Sequence, residues 1–408
     1  MTAFAEPATT RHPSRTGTLP RGERDFSVIP GGPLFRLLVG ARLAGPALER
    51  LPRRTVILCA IAWVPLCVLS LVEGRAFGGT MVPFFADIAL HVRLLIALPL
   101  LLAAEVAVHR VMPLIVREFV DRGIVPDAAR ERFGAAVASA LRWRDSTAAE
   151  IVLLAIVYGA GIAAVWHYKV ALGLGGWYGD SAAGAKAAGW WYAAVSLPLF
   201  QFIFFRWYYK ILVWARFLWQ VSRMPLHLVP THPDGRAGLG FLAEMGLAFA
   251  PFLLAHGAIL AGTIADRIFF AGDTLSRHVI DIALVVAFGL LLVLGPLLSL
   301  TPRLFHAKQE GLLRYGALAE RYVREFDAKW FPERAGAAPD DALLGAADIQ
   351  SPADLGNSFS TLRSMQLFAF TTEGAVLLAA VTLAPVAPLL LTMIPAGELL
   401  ERLAKLLL

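Results

Sequence analysis

The stretch 84–108 is apolar except for Asp87, His91, Arg93 and Glu105, with His109 just beyond it. Ionisable groups in such a run are costly in hydrocarbon and mark ion or proton paths, or pair with one another. At about 100° per residue, Asp87 and Glu105 point the same way, with His91 and His109 about 40° from them. One reading is a polar stripe that lines a water path or relays protons. The other places Asp87 and Glu105 about 27 Å apart, one near each interface, with 94–102 dry between them. Arg93 lies on another face, where it pairs across helices or snorkels. The stretch 241–264 adds Glu244 and His256, about 120° apart and so not a local pair. His256 reads either as a neutral histidine bonded to a nearby carbonyl or as a ligand or relay. The candidate pathway is therefore Asp87, His91, Glu105, His109 and His256.

Two further groups stand out. In Thr231-His232-Pro233-Asp234-Gly235-Arg236 the proline and glycine force a turn just before an apolar run. A glycine-rich turn at a helix start can hold an anion on its N–H groups; alternatively Asp234 caps its own turn. The candidate anion or turn site is His232, Asp234, Gly235 and Arg236. Arg206, Lys210 and Arg216 stand among tryptophans, tyrosines and phenylalanines, with Arg206 about 24 Å down a helix counted from Trp190. That depth suggests side chains facing anionic lipid headgroups.

These residues must be carried by helices in a bilayer. Of 408 residues 57% are hydrophobic and 17% charged, and the mean hydropathy is +0.63. A soluble domain has about 25% charged residues. Seven stretches are long and apolar enough to cross: 55–72, 84–108, 150–168, 190–212, 241–264, 280–300 and 374–394. Pro385 and Pro388 interrupt the last one, so it breaks, re-enters or crosses. The fourth runs on to Val221, and the sixth continues past Pro302 as a long amphipathic helix, kinked there or broken. Residues 1–30 read as disordered, 31–54 as an interfacial helix, 55–300 as a six-span bundle, 301–370 as a cytoplasmic helical region and 371–408 as the seventh span with an amphipathic tail. Within the cytoplasmic region 331–357 reads as a linker, although Ser351 before Pro352 has the form of a helix start. The fold class is thus an all-α polytopic bundle of seven spans with cytoplasmic helical extensions.

Charge sets the expected orientation. Of 37 Lys and Arg, 29 fall in 1–54, 109–149, 206–240 and 302–365. The positive-inside rule then puts the N-terminus in the cytoplasm and the C-terminus outside. Trp177, Tyr178, Trp190, Trp191 and Tyr192 form the expected outer aromatic belt. The net charge of +6 sits beside apolar spans, so nucleic acid is not an expected partner. Membrane lipids, anionic ones above all, and further copies of the chain are. Cys59 and Cys67 are about 12 Å apart on a helix, too far for a disulfide. No signal peptide is expected, since the first apolar run begins only at Thr55. No zinc-protease, nucleophile-elbow, phosphate-loop or Cys-x-x-Cys motif occurs, so no enzyme activity, metal or cofactor is expected. Small residues at four-residue spacing, Gly257 with Ala261 and Ala155 with Gly159 and Ala163, suit close helix packing.

The segment Thr-His-Pro-Asp-Gly-Arg-Ala-Gly-Leu-Gly-Phe-Leu at 231–242, with the string at 348–355 and Pro-Leu-Leu-Leu-Thr at 388–392, resembles a group of uncharacterised bacterial multi-spanning membrane proteins. The resemblance covers most of the chain from Gly31 and implies an inner-membrane location, with no substrate or catalytic residue attached. The architecture alone is similar to the insect-chemoreceptor-like seven-helix ion channels. The functions these readings favour are a transporter or channel for a small solute or ion, or a scaffold or sensor that binds a partner through its cytoplasmic helices.

Overall fold

A computed structural model describes residues 26–40, 51–161, 176–180, 184–331 and 351–393. The described chain is helical apart from a two-residue ladder pairing Gly179–Asp180 with Gly184–Ala185. Its helices are α1 Gly32–Gly40, α2 Leu51–Val72, α3 Ile88–Asp121, α4 Arg130–Arg144, α5 Thr147–Gly159, α6 Ala187–Ser222, α7 Leu242–Ala271, α8 Leu275–Trp330, α9 Ser351–Ser364 and α10 Thr372–Met393. Six of them, α2, α3, α6, α7, α8 and α10, are long and apolar enough to cross a membrane. The protein is a multi-pass helical membrane protein. The third expected span is represented by α5, which is shorter, and the rest of 150–168 lies outside the described residues.

Their apolar faces meet around α3, α6 and α7. Trp207 of α6 donates its indole N–H to the Leu101 carbonyl of α3 at 3.0 Å, and Ser196 donates to Ala62 of α2 at 2.6 Å. Gly257 of α7 lies against the Thr382 carbonyl and Pro385 of α10, so closely that a Cβ would collide. This is the close approach expected of small residues in membrane helices. Gly159 meets nothing within 4 Å and Ala155 is exposed, so that stripe does not pack against the described protein; Ala163 lies outside the described residues.

Three corrections concern the expected elements. Residues 26–30 are not disordered: Phe26, Val28 and Ile29 are buried, and the Phe26 ring lies 5.0 Å from that of Phe217. Once α6 overshoots, its end offers these short apolar residues a face to cover. The break in α8 comes at Gly295–Leu300, a 3₁₀ stretch, and Pro302 opens the next helical turn, where its missing N–H costs nothing. Trp177 is fully buried and so is no belt residue. The last span does not turn back within the described residues. It tightens at Ala384–Met393 into a 3₁₀ helix around Pro385 and Pro388.

α8 has 56 residues; at 1.5 Å each that is roughly 84 Å, far beyond about 30 Å of hydrocarbon. Its projecting half carries α9, whose described residues begin at Ser351 and so overlap the expected linker. Residues 332–350 and the amphipathic tail at 394–408 lie outside the described residues.

Candidate functional site

The expected pathway residues separate into three places. At the end where α3 begins, Asp87 is not on the helix but caps it, accepting from the Leu90 N–H at 2.8 Å and the Trp177 indole N–H at 3.0 Å. Asp266 of α7 accepts from the N–H groups of Ile88 and Ala89 at 2.9 and 3.3 Å. Two carboxylates thus satisfy the donors that open α3 and sit at the positive end of its dipole. His91 donates from Nδ1 to the Asp87 carbonyl at 2.7 Å, and its ring lies against Trp63, Phe84 and Phe85. Deeper in the bundle, Arg93 donates to the Tyr192 hydroxyl at 2.6 Å, the cross-helix pairing open to it from sequence.

The stripe is not continuous. Val92–Ala97 is a π-helical stretch, which changes the rotation per residue and breaks the register counted at 100°. Leu94, Leu98 and Leu101 then lie fully buried between the two polar ends. His256 is apart from both. Its Nδ1–H donates to the Phe252 carbonyl at 2.8 Å, which leaves Nε2 to accept from the Tyr208 hydroxyl at 2.8 Å. That is a neutral histidine with both ring nitrogens occupied, packed on Phe204 and Phe252.

Glu105 anchors the densest polar cluster. Midway along α3, about 27 Å from Asp87, its carboxylate accepts from Arg54 at 2.7 Å and from Lys210 at 2.5 Å. Arg206 lies 3.9 Å from Glu105 and 3.5 Å from Glu150 of α5, and donates to the Gly31 carbonyl at 2.5 Å. All five side chains are buried. Arg206 and Lys210 therefore do not face lipid. They share the buried face of α6 with Trp207, Trp214 and Phe217, and Lys210 also lies 5.1 Å from the Trp207 ring. Depth along the helix is right for a headgroup contact, but rotation about its axis points both groups inward. Arg216, half-buried, donates to Ser139 at 2.9 Å and covers the Trp143 ring of α4 at 4.7 Å. His109 is half-buried one turn beyond Glu105, outside the five.

Three cations thus face two carboxylates, and all five side chains are buried. Such a cluster holds together only because every charge has a partner; an unpaired member is strongly unfavourable. Arg54 and Glu150 are the residues that sequence reasoning missed. Arg54 ends the stretch expected to be an interfacial helix, and Glu150 stands at capping-box spacing from Thr147, although Ser146 is the cap in the structure. The available signal is that Glu105, deep in one span, requires a cation, and that Arg206 and Lys210 stand one turn apart in phase with the buried aromatics.

The turn at 231–242 closes on itself. The Asp234 carboxylate accepts from the N–H groups of Arg236, Gly238 and Gly240 at 2.7, 3.1 and 2.8 Å, with His232 Nδ1 3.0 Å away. Burial opposes ionisation of Asp234, but these N–H groups and His232 outweigh it and hold the carboxyl below its usual range. Gly235 and Gly238 take positive φ, 62° and 93°, which the tight loop needs. Asp234 fills the place a bound anion would take. The loop's outward contacts fasten another segment: Gln366 N–H donates to the Gly235 carbonyl at 2.8 Å, and Arg236 to the Phe370 carbonyl at 3.3 Å.

Among the described residues no group of three or more His, Cys, Asp and Glu is placed to hold a metal. No family model matches the chain, and neither a curated protein nor a solved structure matches it.

Proposed function

We propose that the protein transports a small solute or ion across the bacterial inner membrane, and that the Arg54–Glu105–Arg206–Lys210–Glu150 cluster is its charge-handling centre. The observation that supports this reading is the burial of five ionisable side chains within or against spanning helices. Groups so costly to place there are retained for a task. Cations outnumber carboxylates, so the favoured solute carries negative charge. The 29 basic residues at one set of loops orient the chain with its N-terminus in the cytoplasm and its C-terminus outside. Arg54, Arg206 and Lys210 are buried and leave that count, but the excess survives their removal.

The test is flux in proteoliposomes over a panel of small anions, cations and protons. Flux should exceed that of protein-free liposomes and fall to their level in the E105Q/K210M double variant, in which the buried pair is neutralised together. Wild-type flux no greater than that of empty liposomes overturns the reading. Compartment-sensitive reporters at the two termini should report opposite sides; the same side for both overturns the orientation.

A second reading, a scaffold or sensor, draws on the projecting half of α8, which exposes Leu313, Leu318 and Val323. Crosslinking in cells that recovers only the protein itself counts against it.

A further inference from the structure

Residues 27–32, Ser-Val-Ile-Pro-Gly-Gly, run as an uncharged strap across the charge cluster. Phe26, packed on Phe217, anchors one end, and the other continues into α1. On the inner side of the strap the Gly31 carbonyl accepts from Arg206 at 2.5 Å. Gly32 lies against the Glu150 carboxylate with no room for a Cβ. Val28 walls a void of about 10 Å³ together with Glu150, Arg206 and Lys210. On the outer side stands the Arg144–Asp145 pair of the α4–α5 junction, in which Asp145 is half-exposed. Arg144 donates to the Ser27 carbonyl at 2.9 Å, and Asp145 accepts from the Gly32 N–H at 3.1 Å. Gly31 approaches both side chains so closely that a Cβ would collide with them. The strap therefore lies between the cluster and the solvent-facing pair.

Two features set it apart from the helices it covers. Its backbone is irregular up to Gly32, and the N–H groups of Val28 and Ile29 bond only to the Met112 sulfur and the Ser27 hydroxyl. Segments with few regular backbone hydrogen bonds open at lower cost than the helices around them. The strap has no charge of its own, so lifting it breaks neither the Arg144–Asp145 pair nor the Lys210–Glu105 pair. Second, the Gly31 carbonyl is the shortest contact of Arg206, whose carboxylate neighbours stand at 3.5 and 3.9 Å. A backbone oxygen thus occupies the guanidinium where an oxygen of an anionic solute would make a charge-assisted hydrogen bond.

We propose that residues 27–32 are a gate on the charge cluster. In place, the strap shuts the cluster off from the solvent at the α4–α5 junction and holds Arg206 with the Gly31 carbonyl. Released from Arg144 and Asp145, it uncovers Arg206, Glu150 and Lys210 and frees the guanidinium for an anionic solute. The inference rests on the cluster being the solute site, as proposed above, but opening is read apart from flux.

Val213 is buried and lines the small void under the strap. In the full chain carrying C59S and C67S, V213C is exposed in detergent to the water-soluble reagent sulfonatoethyl methanethiosulfonate. Modification should be slow, and R144A or D145A should speed it by roughly tenfold or more, as expected when one hydrogen bond to a charged group is lost. Hydrogen–deuterium exchange should rise at 27–32 in the same variants and stay at the wild-type level along α3 and α6. Both substitutions fall outside the cluster on partly exposed side chains, and either one alone carries the test. No acceleration, or acceleration matched by faster exchange along α3 and α6, overturns the gate. Flux in proteoliposomes separates the two readings. Higher initial flux in D145A than in wild type supports the gate, and a transporting wild type with no gain in D145A overturns it. Faster V213C modification with no flux in any variant leaves the opening strap standing and overturns transport.

Discussion

Lys210 and Glu105, 105 residues apart in the chain, meet at 2.5 Å in a buried contact between α6 and α3. Arg54 reaches the other oxygen of the same carboxylate. The carboxylate thus gives two cations from neighbouring helices a counter-charge inside the bundle.

Removing one member should therefore cost more than removing two. E105Q leaves Arg54 and Lys210 without a full counter-charge and should lower stability by about 3–5 kcal/mol. E105Q/K210M should recover a large part of that loss. Thermal unfolding in detergent of the two single variants and the double variant gives the coupling; strict additivity would contradict a paired cluster.

The Asp234 turn should respond to acid. Its folded-state carboxyl is held below the ordinary value of about 3.9. Its contribution is then fully present above that value and disappears as pH falls through the lower folded-state one. D234N should remove this part of the acid sensitivity. It should also speed proteolysis around Gln366–Phe370, which the loop holds through Gly235 and Arg236. An unchanged acid profile in D234N contradicts this account.

Two glycines on apolar helices should behave oppositely. Gly257 has no room for a Cβ against Thr382, so G257A should shift α10 and destabilise the protein by about 1–3 kcal/mol. Gly159 is open among the described residues, and G159A should be neutral or slightly stabilising. Melting temperatures of the two variants compare them directly.

Y208F should leave Nε2 of His256 without its donor inside the bundle, at a cost of about 1–3 kcal/mol. Because His256 is fully bonded and packed among aromatic rings, Y208F should leave solute flux per folded molecule unchanged. A selective loss of flux would return His256 to the pathway.

Hydropathy and length alone determined that this is a helical membrane protein, because an apolar run must satisfy its own backbone before it enters a bilayer. The overshoot of α6 and the extension of α8 were legible for the same local reasons. The site was legible only in its types: Glu105, Arg206 and Lys210 were visible as misplaced charges, their partnership was not. Pairing across α2, α3, α5 and α6 depends on how each helix is rotated about its axis, and a π-helical stretch at Val92–Ala97 shifts that rotation without a signal in residue type. Tertiary structure therefore decided that Asp87 caps a helix, that His256 is already satisfied, that Phe26 belongs to the core and that three cations turn inward. Each of these is set by contacts between segments far apart in the chain, where the cost of an unpaired buried group selects one arrangement.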